Sequence, residues 1–142
     1  MIKSKYKAEK CVCDGYSFDS RVEMKYYEKL KDDKAKGMIL NFELQPKYVL
    51  IKKFTNSFNQ KIREIAYVAD FVIYNLDNTE TVIDIKGMAN PESKLKRKLF
   101  WNIYRGEELR WLVWHQQQWK DYDEVQSLRL QNKKAKKKTE VL

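Results

Sequence analysis

Two acidic residues lie symmetrically about a turn in the middle of the chain. Residues 61–75 are rich in apolar and β-branched side chains, residues 76–79 have the composition of a turn, and residues 80–87 return with a second apolar pattern. This pattern predicts a β-hairpin. Asp70 and Asp84 are equidistant from Asp77, so a turn centred on Asp77 would place the two carboxylates opposite each other on one face of the sheet.

The length of the turn decides whether the two carboxylates can share a site. A two-residue turn at Asp77 and Asn78 would place Asp70 and Asp84 on opposite faces, whereas an odd-length loop or a bulge would bring them together. Like charges directly opposite in a sheet destabilise it, and a divalent cation between them would remove that cost. Considered alone, Asp70 would be a structural carboxylate bonded to a turn amide, because an unpaired buried charge is costly.

A third carboxylate belongs to a predicted helix that begins at Ser20, runs to about Lys36 and stops at Gly37. On a helical wheel, Glu23 falls within an apolar arc formed by Val22, Tyr26, Tyr27 and Leu30. Its side chain is therefore expected to face the body of the protein. Ser20 and Glu23 also have the spacing of a capping box, so Glu23 could cap the helix, belong to a site, or do both.

Lys86 lies two positions after Asp84 and is expected on the same face of the returning strand. By strand alternation alone, Lys86 would be a solvent-facing partner of Asp84. Beside Asp70 and Glu23, its ammonium group could instead stabilise negative charge that develops during a reaction.

The order of predicted elements is helix, three strands in a meander (residues 42–54, 61–75 and 80–87), helix and strand, which indicates one mixed α/β domain over residues 1–132 and a basic disordered tail over residues 133–142. Both faces of the second strand are apolar around Asp70, so we expect Asp70 in the middle of a central, buried strand. The formal net charge is +9, and the body of the chain is basic even without the five lysines of the tail. Such a balance favours a polyanionic partner such as nucleic acid. The tail could tether the protein to DNA or only keep it soluble.

Cysteine content argues against a structural zinc site, and hydropathy argues against a membrane protein. Cys11 and Cys13, with a single histidine in the chain, cannot complete a four-ligand zinc site. No apolar run approaches the length of a membrane span, and the N-terminus lacks a signal-peptide pattern. We expect a cytoplasmic protein with reduced thiols and no membrane partner.

The second predicted helix, capped by Asn90 with Pro91 at its first position, is the expected DNA contact. Its basic arc contains Lys94, Arg97, Lys98 and Arg105, with Trp101 between them, and its apolar side contains Leu95, Leu99 and Ile103. Contacts from this arc to phosphates would position a duplex without reading its bases. A merely solvated face is the alternative.

These residues together resemble the PD-(D/E)XK nuclease superfamily, whose motif is Glu, then Asp, then Asp/Glu-x-Lys. The corresponding positions are Glu23, Asp70 and the segment Asp84-Ile85-Lys86. Over about residues 5–105 the chain is similar to small phage-encoded nucleases of the Holliday-junction-resolvase type, and its layout is similar to the catalytic domain of the transposon end-cleaving nuclease TnsA. Ala69 stands where the superfamily often has Pro, and Asp84 where Glu is commoner.

The resemblance implies a restriction-endonuclease-like α/β fold, with a central mixed sheet flanked by helices, and Mg²⁺-dependent hydrolysis of DNA, with Mn²⁺ as a substitute. The implied catalytic residues are Glu23, Asp70, Asp84 and Lys86. The implied metal ligands are Asp70, Asp84, the backbone carbonyl of Ile85, and Glu23. Gln45, beside Pro46, would line the site or serve only as a strand-end amide.

The expected substrate is branched DNA, above all a four-way junction formed in phage recombination or packaging, in the host cytoplasm if the protein is phage-encoded. Symmetric cutting of two strands calls for two sites, so we expect a C₂ homodimer, with its interface in the aromatic-rich region of residues 101–119. The alternatives are a TnsA-like transposon-end nuclease and a non-catalytic DNA-binding protein with the same fold.

Overall fold

A computed structural model describes residues 10–140 of the chain. Residues 1–9, which make up most of the basic segment of residues 1–10 that we expect to be loose, and residues 141–142 lie outside the described part. Strands and helices follow one another in the order β1 (Cys11–Cys13), β2 (Tyr16–Phe18), α1 (Arg21–Ala35), β3 (Asn41–Leu44), β4 (Lys47–Ile51), β5 (Phe54–Thr55), β6 (Lys61–Ile62), β7 (Ile65–Val68), β8 (Phe71–Tyr74), β9 (Glu80–Ile85), α2 (Pro91–Ile103), β10 (Glu108–His115), β11 (Gln118–Asp121) and α3 (Tyr122–Glu140).

The centre of the fold is a mixed five-stranded sheet in the order β11–β10–β9–β8–β3. β9 and β10 run parallel, and the other neighbours are antiparallel. Alternate residues of β8 and β9 point to opposite faces of the sheet, so the core has two parts. Phe71 and Ile83 pack with α1 on one face. Val72 and Val82 pack with Phe100 of α2 on the other. The predicted α/β class, with helices flanking a central mixed sheet, is confirmed. None of the helices within residues 10–140 is long and apolar enough to cross a membrane.

Helix α1 forms as the sequence predicts. The Ser20 hydroxyl accepts a 3.1 Å hydrogen bond from the Glu23 amide and caps the first turn. At the other end Gly37, with φ of 72°, takes the left-handed conformation that ends a helix. The buried residues of the helix are Tyr26, Tyr27 and Leu30, all members of the predicted apolar arc.

A bend interrupts both of the long strands that the sequence predicts over residues 42–54 and 61–75. At the bend the Gln45 amide donates to the Asp70 carbonyl at 2.9 Å, and the Ala69 amide donates to the Pro46 carbonyl at 3.1 Å. The register of β3 with β8 therefore continues across the bend into β4 and β7, although the second pair leaves the central sheet. Asp70 lies at this bend, and the expectation that it belongs to the middle of a continuous central strand is wrong.

The bend has a conformational cause at Gln45. Its φ of 52° lies in the left-handed region, which breaks the extended course of the strand, and Pro46 then withholds an amide from the ladder. The chain therefore forms one bent antiparallel ribbon, whose inner half is β3 and β8 and whose outer half is β4 and β7. The outer half leads into the β5–β6 pair.

The β8–β9 hairpin brings the two aspartates together. Its loop spans residues 75–79 and is closed by a 2.9 Å hydrogen bond from the Asn75 amide to the Thr79 carbonyl. Phe71 pairs with Ile83, and the Asp70 amide extends the ladder by donating to the Ile83 carbonyl at 3.1 Å. This register confirms the odd-length loop. The pairing ends at Phe71 and Ile83, and Asp70 lies just beyond it, close enough to Asp84 for the two side chains to interact.

Helix α2 begins with the predicted Asn90 cap and Pro91, but it buries a different face from the one expected. Its inward residues include Phe100, which is fully buried against Tyr67 and Leu50. Leu95 and Ile103, expected on the apolar side, are 59% and 44% exposed. The large aromatic ring of Phe100 buries more surface than a leucine and fixes the rotation of the helix.

The chain beyond residue 121 differs most from the sequence prediction. In place of a disordered tail, α3 continues as a helix to Glu140, with Tyr122 and Val125 buried at its start and every residue from 127 to 140 exposed. No Gly or Pro interrupts residues 122–140, and their many Lys, Leu, Gln and Ala residues favour helix. The lysines of the tail are thus presented on a helix.

Candidate functional site

Asp84 is the buried centre of the site, with only 6% of its surface exposed. It lies on β9 in the middle of the central sheet. The Tyr67 hydroxyl donates a 2.5 Å hydrogen bond to its Oδ2 atom, and Lys86 Nζ lies 3.0 Å from the same oxygen. The expected proximity of Lys86 to Asp84 is therefore observed, with a tyrosine as an additional partner.

Trp111 supports this arrangement from the neighbouring strand. It pairs with Asp84 in the parallel register of β9 and β10, and its indole N–H donates to the Tyr67 hydroxyl at 2.8 Å. Lys86 Nζ lies 4.9 Å from the centre of the Trp111 ring, within the range of a cation–π contact. Lys86 is thus held between a carboxylate and an aromatic face.

Asp70 approaches Asp84 from the bend of the ribbon. Its Oδ2 atom accepts a 2.7 Å hydrogen bond from the Ile85 amide, which places the main chain of Ile85 beside this carboxylate. Burial, followed by the charge and hydrogen bonding of Asp84 and then the charge of Glu23, raises the pKa of Asp70 to about 9. Burial and the two neighbouring carboxyl groups thus favour the protonated form of Asp70.

Glu23 contributes a third negative charge from α1. Burial and then the nearby Asp19 carboxylate raise its pKa to about 7, with a further increase from Asp84 and an opposing effect from Lys86. Glu23 is half-buried and lines a cleft together with Asp70, as expected from a helical wheel that turns its side chain toward the body of the protein. Its amide also bonds Ser20, so the residue takes part in the helix cap as well.

The carboxylates line two separate clefts. The first, of about 300 Å³, is lined by Glu23, Gln45 and Asp70, together with residues of the β1–β2 hairpin. The second, of about 290 Å³, is lined by Tyr67, Asp84 and Lys86 and by the start of α2. A larger cleft of about 630 Å³ beside the β8–β9 loop contains none of the predicted site residues. We place the site at the two smaller clefts because Glu23 and Asp70 line the first and Asp84 and Lys86 line the second.

The donor atoms at this position fit a hard divalent cation. Carboxylate oxygens of Asp70, Asp84 and Glu23, with the main chain of Ile85 nearby, are the ligand type that Mg²⁺ prefers, and burial and neighbouring carboxylates raise the pKa values of Asp70 and Glu23. Within residues 10–140, however, no three His, Cys, Asp or Glu side chains are grouped closely enough to hold a metal ion. Binding a cation would thus require these carboxylates to turn toward one another.

The basic arc predicted on α2 divides into two kinds of residue. Lys94, Lys98 and Arg105 are exposed, although Arg105 bonds the Asn102 carbonyl at 3.1 Å. The prediction that Arg97 belongs to an exposed, DNA-binding arc is wrong. Its side chain is only 14% exposed and pairs with Asp123 at 2.8 Å. Its guanidinium lies 3.8 Å from the Trp111 ring centre and 4.7 Å from that of Trp101.

Arg97 therefore joins α2 to the first turn of α3 and is not free to contact phosphate. The helical wheel groups residues by sequence position alone, so it cannot distinguish an arginine stacked on neighbouring elements from one in solvent.

Three further residues of the site were missing from the sequence prediction: Tyr67, Trp111 and Lys96. In the sequence, Tyr67 and Trp111 are indistinguishable from ordinary core aromatics. The only indication of a role in the site is that a buried tyrosine hydroxyl or indole N–H requires a hydrogen-bond partner. Lys96 lines the second cleft beside Asp84 and Lys86. Its spacing from Ser93 and Phe100 on the inward face of α2 could have indicated its direction once that face was known.

The chain belongs to the DUF1064 family, described as a protein of unknown function, whose family model matches residues 3–121. A comparison with curated proteins and with solved structures gives no significant match.

Proposed function

We propose that this member of the DUF1064 family is a metal-dependent endodeoxyribonuclease related to the PD-(D/E)XK nucleases. The observation that carries the proposal is the proximity of the Asp70 and Asp84 carboxyl groups at the end of the hairpin, with Lys86 Nζ 3.0 Å from Asp84. Two adjacent carboxyl groups, one of which has a pKa raised to about 9 by burial and by the other, supply the oxygen ligands that a divalent cation prefers.

The residues of the site divide the work of phosphodiester hydrolysis. Asp70, Asp84 and Glu23, with the Ile85 carbonyl, would hold Mg²⁺, which when bound supplies Lewis-acid polarisation of the scissile phosphate. Lys86 stabilises the negative charge that develops on the phosphate, and its contacts with Asp84 and Trp111 fix its position before the substrate arrives. Glu23, which lines the same cleft as Asp70, can help to hold the cation or can position the attacking water.

The proposed substrate is branched DNA, with a four-way junction as the first choice and a transposon end as the alternative. The net charge of +9 and the exposed lysines of α2 and α3 favour a polyanion of this kind. Symmetric cutting of a junction requires two sites, so the active form is a C₂ homodimer. Light scattering of the protein, free and with junction DNA, tests this assembly; a monomer in both states would favour a hetero-assembly of the TnsA type.

A second candidate function is DNA binding without catalysis. It is favoured by one observation, that no complete metal-ligand group is assembled within residues 10–140. The two candidates differ in what a divalent cation does: a nuclease is activated by Mg²⁺ or Mn²⁺, whereas a binding protein gains no activity from either.

The decisive experiment is cleavage of a labelled four-way junction, a linear duplex and single-stranded DNA in the presence of Mg²⁺, Mn²⁺, Ca²⁺ or EDTA. We expect cutting of the junction with Mg²⁺ or Mn²⁺ and binding without cutting in Ca²⁺, which is larger and less demanding in geometry. Asp84→Asn should abolish cutting and retain binding. Lys86→Ala should also retain binding but lose most of the rate, because Lys86 acts on the transition state.

Asp32→Asn is the matched control, because Asp32 is an exposed carboxylate of α1 that pairs only with Lys36 in the following turn. It should cut DNA at the wild-type rate. Cleavage by Asp84→Asn at the wild-type rate, or cleavage that persists in EDTA, would refute the nuclease proposal.

A further inference from the structure

The tip of the β5–β6 hairpin exposes a large aromatic side chain. Phe58 is 82% exposed, more than any other large apolar side chain within residues 10–140. An aromatic ring at a loop tip can bury its surface against a partner without rearrangement of the core.

The tip is held in one conformation by its own polar groups. The Asn56 side-chain oxygen accepts hydrogen bonds from the Phe58 amide at 2.9 Å and the Gln60 amide at 3.0 Å. The Asn56 amide group donates to the Gln60 side chain at 2.8 Å, and Asn59 takes a left-handed φ of 58°. Phe58 is thus presented on a defined turn, which lowers the entropy lost when a partner binds it.

The hairpin that carries Phe58 is strongly basic. Residues 52–63 include four cations and no acidic residue: Lys52, Lys53, Lys61 and Arg63. Within the described part of the chain, the ion pairs involve other residues and leave these four without a carboxylate partner. The charge of the hairpin is therefore available to an anionic partner.

Apolar and cationic groups also combine along the hairpin. Phe54 and Ile62 form a cross-strand pair and line a groove of about 410 Å³, whose other lining residues are Lys53, Thr55, Lys61 and Arg63. An apolar floor between cationic side chains matches a nucleic acid strand, in which flat bases alternate with phosphates. An anionic membrane or a protein partner would not explain this alternation as directly.

The hairpin and the candidate active site belong to the same bent ribbon. Tyr67, which lines the cleft of Asp84 and Lys86, precedes the bend on β7, and Phe58 lies nine positions before it. At about 3.4 Å per residue the two are at most about 30 Å apart. This is less than one turn of B-DNA, which is about 34 Å, so one DNA molecule can contact both.

We infer that the β5–β6 hairpin is a DNA-binding wedge that stacks Phe58 on unpaired or unstacked bases at a branch point or strand end, while its lysines and Arg63 contact the flanking phosphates. The choice of DNA as the partner rests on the proposed function. The wedge gives that function a means of distinguishing branched from continuous duplex, since a continuous duplex offers no exposed base face to Phe58.

The test is the binding of labelled four-way junction, single-stranded DNA and continuous duplex, measured by fluorescence anisotropy in EDTA so that hydrolysis does not interfere. Phe58→Ala should weaken binding to the junction and the single strand by at least about fivefold, as expected for the loss of one stacked base, and leave the duplex nearly unchanged. Phe58→Trp should retain binding to all three. Leu76→Ala, which removes an exposed apolar side chain at the β8–β9 loop, is the matched control and should change none.

A second measurement reports on the bases themselves. A 2-aminopurine at the branch point should brighten when the wild-type protein unstacks it and should brighten less with Phe58→Ala. The wedge is refuted by equal affinities of Phe58→Ala and wild type for the junction, by equal losses on junction and duplex, or by binding of the wild type only to phosphatidylserine vesicles or to itself through Phe58. Junction binding that depends on Phe58 without any Mg²⁺-dependent cutting would refute the nuclease proposal alone.

Discussion

The Tyr67 hydroxyl joins two parts of the site: it donates to Asp84 Oδ2 at 2.5 Å and accepts from the Trp111 indole at 2.8 Å. Replacing it in Tyr67→Phe leaves a buried indole N–H without a partner and frees one contact of Asp84. We expect the free energy of unfolding to fall by about 1–3 kcal/mol and Mg²⁺-dependent cleavage to fall by about 10-fold or more, because Asp84 loses the contact that orients it.

Tyr104→Phe provides the comparison for this change. Tyr104 donates a 2.8 Å hydrogen bond to the Val49 carbonyl, away from the carboxylates, so its loss should lower stability without slowing cleavage. Chemical denaturation and initial rates on junction DNA measure the two effects. Equal cleavage rates for Tyr67→Phe and wild type would show that Tyr67 serves only the fold.

The metal-free protein should lose stability as the pH rises from about 4 to about 9. Burial and Asp84 raise the folded-state pKa of Asp70 from 3.8 to about 9, so between these values the folded state holds a proton that the unfolded state has released. The contribution of this bound proton to the free energy of unfolding is fully present below about pH 4. It is lost as the pH rises through about 9. Glu23 adds the same trend up to about pH 7.

Denaturation in EDTA across this pH range tests the effect, with Asp70→Asn as the variant and Asp32→Asn as the control. Asp70→Asn should flatten the decline, and Asp32→Asn should keep it. Added Mg²⁺ should stabilise the wild type more at pH 8 than at pH 5, because a carboxylate must lose its proton to bind a cation. The same slope in Asp70→Asn and wild type would refute the role of Asp70.

Lys96 should matter more for DNA than its neighbour Lys94. Both lie on α2, but Lys96 lines the cleft of Asp84 and Lys86, whereas Lys94 is exposed and absent from that lining. Lys96→Gln should weaken junction binding and lower the salt-dependence slope by about one. Lys94→Gln should change either quantity less. Salt titration of DNA binding measures both variants. A larger loss of junction affinity in Lys94→Gln than in Lys96→Gln would indicate that the exposed basic arc of α2 is the DNA contact.

Arg97 should be a determinant of stability and have little effect on DNA affinity. Arg97→Ala removes two ring contacts and the pair with Asp123, so the melting temperature should fall clearly, and Arg97→Lys should restore little because lysine lacks the planar group. Arg110→Ala, which breaks an exposed pair with Glu108, should have almost no effect. A reduced salt-dependence slope with unchanged melting temperature in Arg97→Ala would contradict this assignment.

Sequence patterns were sufficient for the parts of the fold that local chemistry determines. Ser20 and Asn90 mark helix starts because their side chains satisfy free amides, and the symmetric placement of Asp70 and Asp84 about Asp77 predicted the register that the hairpin adopts. These features depend on residues close in sequence or on strand periodicity, and both can be read from a single chain.

The rest depends on tertiary contacts that no local pattern specifies. Gln45 has no side-chain property that demands a left-handed φ, so the bend was not predicted. Likewise Phe100 and Leu95 are both apolar, and only packing against Tyr67 and Leu50 determined which of them α2 buries. Tyr67 entered the site because the bend redirected β7 toward Asp84.

The outer half of the ribbon has consequences for local unfolding. β4 and β7 pair only with each other and lean on α2, whereas Asp84 lies on a central strand with a neighbour on either side. A two-stranded element is marginally stable by itself, so its amides should exchange with solvent faster than those of β9. The hydrogen bond between Tyr67 and Asp84 thus links a segment that opens often to one that opens rarely, and closure of the ribbon and completion of the site are one cooperative event.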